Sequence, residues 1–398
     1  MIKKNPIGRV PAASRRLMQR TKAYLATAVT TATLTLVAGT ASAGIKVPFG
    51  DDASVNLGLG LRGSFTSAEG AAPNGSRSSD FNLDSIRIYM GASLTKSIKA
   101  TFNTERDGDG NIRLLDGYAQ FEPMDEINLW VGRMLPPSDR ANLDGPYYLN
   151  AWSYPGVVSQ YPARFAGRDD GVTVWGKLAD KHLVYAVGAF RGHNRIAGAS
   201  NAGDKPLVAG RITYNLLDPE DDPAYYTSST YYGSADILAI GFAGMYQKKG
   251  VGTAARPGAY KSYNADLLFE KPLGKDVGTI TLEGAYYHYG TSGAVDVSPS
   301  FGGAGGTANV GGIADGDAYL IGAAYLLPAE IGPGKLQPYA RYQKFMNDSS
   351  GGYAREYDFG VNYVIKGHNA RISLDYASLK GTGSKSTDRF IAGVQLQF

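Results

Sequence analysis

The sequence predicts an all-β fold: a transmembrane antiparallel up-and-down β-barrel of about 16 strands. Three observations predict it. Apolar and polar residues alternate with period two from Ser54 to the last residue. Connections between the alternating runs are short and long in turn. The final run ends in Phe398, with Leu396, Val394, Ala392 and Phe390 behind it at spacing two.

The elements follow in order. Residues 1–43 carry seven basic residues and no acidic one, then the moderately apolar Ala23–Gly39, then Ala41-Ser42-Ala43. That order predicts a secretory signal peptide cleaved after Ala43, leaving 44–398 as the barrel. Without this segment the formal charge moves from +4 to −3, so the basic balance of the whole chain does not point to nucleic acid. Strands are expected at 54–66, 81–95, 98–105, 112–122, 127–134, 171–178, 183–191, 207–216, 236–247, 263–270, 279–289, 317–327, 336–345, 356–365, 370–379 and 389–398. Leu57, Leu59 and Leu61 share one face of the first run, while Asn56, Gly60 and Arg62 share the other. Later runs repeat this split, as in Ile372, Leu374 and Tyr376 against Arg371, Ser373 and Asp375. No run of 18 apolar residues follows the N-terminal region, so a helical membrane protein is not expected. A soluble two-sheet sandwich would share the alternation, but it accounts poorly for a polar face in nearly every strand combined with an export signal.

With no cysteine, the chain offers no disulfide frame, no thiolate metal site and no cysteine nucleophile. Its four histidines show no i, i+4 pairing. Asp107-Gly108-Asp109-Gly110-Asn111 begins like a calcium loop but has Ile112 where glycine is needed and Tyr118 where the closing Glu belongs. No cofactor or metal is expected. An outer-membrane enzyme would need a Ser–His arrangement that the sequence does not display.

A barrel of this size encloses a water-filled lumen. The longest irregular stretch, 135–169 after the fifth strand, is rich in Pro, Tyr and Arg and is expected to fold inward as a constriction loop. The short-side connection Leu217–Ser234 breaks the alternation of loop lengths. Tyr225, Tyr226, Tyr231, Tyr232, Tyr286, Tyr287 and Tyr289 are expected in aromatic girdles at the bilayer surfaces.

Val131-Gly132-Arg133-Met134-Leu135-Pro136 opens the long loop, Arg164–Val172 (RFAGRDDGV) re-enters the sheet, and Tyr185–Gly192 (YAVGAFRG) follows. Over 81–215 this resembles the phosphate-selective porin O/P family of Gram-negative outer membranes. The resemblance implies a trimeric channel in outer-membrane lipid, inserted by barrel-assembly machinery that reads the terminal Phe398, and passing small hydrophilic solutes with anions favoured. It does not carry over the family's arginine ladder. Parity places Arg62, Arg87, Lys99, Arg211, Arg341, Arg371 and Arg389 toward the lumen, and the loop adds Arg140, Arg164 and Arg168. Arg133 faces water only if Trp130 faces lipid. Glu105, Asp116, Asp358 and Asp375 share the lumenal parity, so the expectation is a mild anion bias. A channel specific for sugars or aromatic acids, using Tyr147, Tyr148, Trp152, Tyr154 and Tyr161, stands as the alternative; a secreted β-sheet binding protein is a further one.

Overall fold

The computed structural model describes residues 44–49, 51–162, 165–193, 205–253, 255–294 and 313–398. The expected signal segment 1–43 and the glycine-rich 302–312 lie outside the described residues. Among the described residues eighteen strands follow one another: β1 (Gly44–Pro48), β2 (Ser54–Ala68), β3 (Ser78–Ser93), β4 (Ile98–Arg106), β5 (Ile112–Met124) and β6 (Ile127–Met134). A short helix, α1 (Arg140–Asp144), precedes β7 (Asp169–Leu178), β8 (Leu183–Phe190) and β9 (Leu207–Asn215). Then come β10 (Ile237–Gly252), β11 (Pro257–Pro272), β12 (Thr279–Gly290), β13 (Gly316–Leu326), β14 (Glu330–Ile331), β15 (Gly334–Asn347), β16 (Tyr353–Lys366), β17 (Ala370–Gly381) and β18 (Thr387–Gln397).

Sixteen of them, β2–β13 and β15–β18, pair antiparallel with their neighbours in sequence and close into a barrel where β18 meets β2. All sixteen runs read from the alternation are present. The two extra strands are short ribbons. β14 pairs only with the start of β15, and β1 lies along β2 from Gly44 opposite Gly58 to Pro48 opposite Ser54. β1 continues the edge that β18 leaves uncovered: β18 ends at Gln397 opposite Gly60, and the Leu59 N–H donates to the Phe398 carbonyl at 3.1 Å. An open edge would leave backbone groups unsatisfied in lipid, and this end-to-end arrangement removes it. The β10–β11 hairpin also runs farther than its alternation indicates, because 248–261, expected to be a loop, is mostly strand.

The alternation is translated directly into two faces. Leu59, Ile88, Phe102, Val187, Phe242, Ile321, Phe359 and Val394 project from the outer wall and are exposed. Arg62, Arg87, Asp116, Arg211, Asp266, Glu270, Arg341, Asp358 and Arg371 point inward and are buried. An apolar belt of that extent is unstable against water and stable against hydrocarbon. The girdle of exposed rings is Tyr214, Tyr246, Tyr263, Tyr319, Tyr357 and Tyr376.

That corrects the expected girdle. Tyr225, Tyr287 and Tyr289 are 2–4% exposed and lie inside, and Tyr226 packs beside them; of the expected set Tyr286 alone is on the outer parity. The physical reason is that the interior supplies both apolar contact and hydroxyl partners: Tyr225 Oη donates to the Leu135 carbonyl at 2.8 Å and Tyr289 Oη to the Val157 carbonyl at 3.1 Å.

Candidate functional site: the lumen and its two inserted segments

Two connections fold into the barrel, one from each end. The first, 135–168 between β6 and β7, enters from the end that carries the longer loops. Asp139 caps α1 by accepting the Asn142 N–H at 3.1 Å, and the helix is buried throughout. Its neighbouring segment then meets wall strands on nearly opposite sides. Arg62 on β2 donates to the Trp152 carbonyl at 2.6 Å, while the Ser159 N–H donates to Tyr289 Oη on β12 at 3.1 Å. Two strand glycines make room for its rings. A Cβ at Gly60 would lie 2.9 Å from Tyr147 Oη, and one at Gly393 would lie 2.6 Å from the Trp152 ring.

The second segment, 216–236 between β9 and β10, enters from the short-turn end, and it is the connection that broke the alternation of loop lengths. The two meet inside. Arg140 of α1 grips Glu220 with two hydrogen bonds of 2.6 and 3.0 Å and donates to the Ser228 carbonyl at 2.9 Å. The Asn150 N–H donates to Ser229 Oγ at 2.7 Å, and Thr227 Oγ1 donates to the Arg140 carbonyl at 3.1 Å. Trp130, Tyr118, Tyr225 and Tyr226 stack beside this junction, with Tyr118 and Trp130 centroids 4.5 Å apart. Nothing in the alternation signals the second segment except its length and its tyrosines.

The cationic residues expected at the lumen divide into three groups. Most are neutralised. Arg87 pairs with Glu105 at 2.5 Å, Lys99 with Glu122 at 2.7 Å, Arg168 with Asp116 at 3.0 Å, Arg341 with Asp358 at 2.9 Å and Arg389 with Glu356 at 2.8 Å. Arg140 and Arg211 converge on Asp266, Arg211 with bonds of 2.6 and 2.8 Å. Arg133 leaves the group: Trp130 is buried inside, so Arg133 shares the outward parity of Val131 and pairs with Asp170 at 2.7 Å. Arg164 lies outside the described residues.

Arg62 and Arg371 are the third group. They are 4% and 1% exposed and form no ion pair among the described residues. Both stand opposite Gln395, one from each side, so Arg371, Gln395 and Arg62 make one row across β17, β18 and β2. Arg371 donates to the Leu149 carbonyl at 2.5 Å, and the Arg62 guanidinium lies 4.0 Å over the Trp152 ring. The Nε of both, Nη2 of Arg371 and Oε1 of Gln395 have no hydrogen-bond partner.

The inserted segments also hold displaced titrations. Burial, reinforced by nearby Asp266, pushes the Asp139 carboxyl up to about 7. Burial and the neighbouring Glu220 push Asp222 up to about 7 as well. His368, in the turn after β16, is pulled down to about 3 by burial and by Arg371. Its Nε2 lies 3.1 Å from Ser228 Oγ, a contact absent from any sequence motif. The same nitrogen is 2.9 Å from the Thr230 carbonyl, which can only accept, so Nε2 carries the proton and cannot act as a base toward Ser228. At 107–111, Asp107 Oδ1 accepts the N–H groups of Asp109 and Asn111 at 3.0 and 2.8 Å, and its other oxygen pairs with Arg113. The turn that resembled a calcium loop is closed on its own backbone.

Solved structures share this architecture. An anion-selective porin from Comamonas acidovorans superimposes with a TM-score of 0.57 at 13% identity, covering 87% of this chain and all of that one. The fold is that of a Gram-negative outer-membrane porin. OmpF of Salmonella typhi gives 0.59 at 12% identity, covering 89% of this chain and 100% of that one. The outer-membrane channel DcaP of Acinetobacter baumannii gives 0.55 at 12% identity, covering 88% and 99%. Residues 315–398 match the family model described as phosphate-selective porin O and P. This is the family suggested by the motifs around the first inserted segment, matched over the last strands instead. No curated protein matches the chain. The chain has the fold of a porin-like β-barrel.

Proposed function

We propose that the protein is a passive diffusion channel for small hydrophilic solutes, with a mild preference for anions. The observation that carries the preference is the row Arg371–Gln395–Arg62: two buried guanidiniums facing the lumen that form no ion pair among the described residues and keep unused N–H groups, with Asp84 the one carboxylate in electrostatic reach of Arg62. Fixed positive charge inside a low-dielectric wall raises the local concentration of anions and lowers that of cations. The remaining lumenal arginines contribute little net field, because each is paired. The two inserted segments narrow the cross-section, which favours small solutes. An aromatic slide for sugars has less support: Trp130, Tyr147 and Trp152 are buried against the wall or one another.

Reversal potentials across planar bilayers in a salt gradient test the reading. The wild type should show anion preference, and the double variant Arg62→Ala/Arg371→Ala should move the potential toward cations. A cation-preferring wild type, or a double variant with an unmoved potential, would refute the proposed bias.

A further inference from the structure

We infer that the outer wall carries a binding site for the phosphate of a lipid in the leaflet at the long-loop end, formed by Lys344, Arg355 and Lys380. The three residues come from β15, β16 and β17 and stand in one register row: Lys344 opposite Arg355, and Arg355 opposite Lys380. Their parity is outward, that of Tyr342, Tyr357 and Tyr376 rather than of buried Gln343, Glu356 and Asp375. The site is therefore separate from the lumen and independent of the proposed transport.

The level of the row in the bilayer follows from its neighbours. Tyr319, an exposed ring, stands opposite Lys344 in the same row, and Tyr286 stands opposite Tyr319. The next row toward the bilayer centre holds Tyr342 opposite Tyr357, their centroids 4.8 Å apart. Aromatic rings of this kind settle at the headgroup boundary. The β15–β16 connection lies just beyond the row, and Arg355 is two residues from the start of its strand. Three cations at that depth meet lipid headgroups, not acyl chains.

Among the described residues the row has no counter-ion. Lys344, Arg355 and Lys380 form no ion pair among the described residues; Lys344 Nζ lies 5.6 Å from the Tyr353 ring centroid and the Arg355 guanidinium 5.7 Å from that of Tyr357. The outward carboxylates nearby are engaged elsewhere. Asp317 accepts from Tyr286 at 2.7 Å and contacts His288 at 2.9 Å, and Asp388 pairs with Arg77. Three like charges brought together on a lipid-facing wall repel one another unless an anion sits among them, and a phosphate headgroup supplies both the charge and several acceptor oxygens. Barrels of this type direct their longer loops outward from the cell, so the leaflet concerned is the outer one, and its phosphorylated glycolipid is the ligand to which the site is assigned.

Native mass spectrometry of the full-length protein in detergent, titrated with bis-phosphorylated lipid A, tests the site. The wild type should retain lipid A. Lys344→Gln/Arg355→Gln/Lys380→Gln should bind about tenfold or more weakly. The charge-keeping variant Lys344→Arg/Lys380→Arg should bind as the wild type does, which distinguishes lost charge from a disturbed barrel. Fully dephosphorylated lipid A should bind the wild type as weakly as intact lipid A binds the triple Gln variant. Equal retention by wild type and triple Gln variant would overturn the assignment. So would complete displacement of lipid A by inorganic phosphate, which would make the row a site for the free ion.

Discussion

The two segments inside the barrel do similar work from opposite ends, yet the wall holds them with opposite charge. The first, between β6 and β7, is held by cationic and amide donors through its carbonyl oxygens, Arg371 donating to Leu149, Arg62 to Trp152, Arg341 to Ser153 and Gln395 to Tyr147, while four of its N–H groups donate to wall acceptors. The second, between β9 and β10, is held largely through N–H and hydroxyl groups by one carboxylate. Glu270 on β11 accepts from Thr230 Oγ1 at 2.7 Å, from the Tyr231 N–H at 3.0 Å and from the Gly233 N–H at 2.7 Å. Irregular backbone inside a barrel cannot satisfy its own polar groups, so the wall must supply donors where carbonyls are left over and acceptors where N–H groups are. Much of the lumenal charge that resembles a selectivity filter is therefore committed to holding chain in place. Arg62 and Arg371 do this with one donor each and form no ion pair among the described residues.

The most severe way to break this pairing of segments is at their junction. Arg140→Ala leaves Glu220 buried without its cation, and it should cost about 3–5 kcal/mol of barrel stability. Urea unfolding in detergent followed by tryptophan fluorescence measures this, and a loss no larger than that of an exposed control arginine would show that the segments do not depend on the contact. Next comes the second segment alone. Glu270→Gln weakens the charge-assisted bonds to 230–233 and should cost about 1.5–3 kcal/mol in the same assay. The reversal potential should move slightly toward anions, because a lumenal carboxylate is gone; a movement toward cations would contradict the charge assignment.

The smallest effect expected is on pH. Asp139 and Asp222 titrate near 7 in the folded barrel and near 3.9 in an unfolded chain. Between those values the folded state holds protons that the unfolded state has released. Their contribution to stability is thus complete below about pH 4 and is lost as pH rises through 7. Asp139→Asn/Asp222→Asn should flatten the decline in unfolding midpoint between about pH 4 and about pH 7, the window set by these two groups. An unchanged slope would place the pH dependence elsewhere.

Much of the barrel is legible in the sequence because a strand wall between lipid and lumen imposes period two on every residue. That is why Ile372 and Arg371 could be placed on opposite faces without coordinates, and why all sixteen strands were found. The β6–β7 connection stands out in the sequence by its length and its Pro, Tyr and Arg content. The second segment shows in the sequence only as an exception to the loop pattern, and composition alone sends its tyrosines to the girdle. A tyrosine suits a bilayer surface and a buried hydroxyl network equally well by composition, and only the neighbours tell the two apart.

What the sequence determined by itself was thus the solvent on each side of the wall, since that is a local property repeated at every second residue. Which lumenal cations keep an uncancelled charge was decided by tertiary structure alone. Arg341 meets Asp358 and Arg371 meets no carboxylate, although both have the same parity, because the difference depends on cross-strand register and on where two loops come to rest. Those are sums over contacts distant in sequence, and no single stretch of the chain contains them.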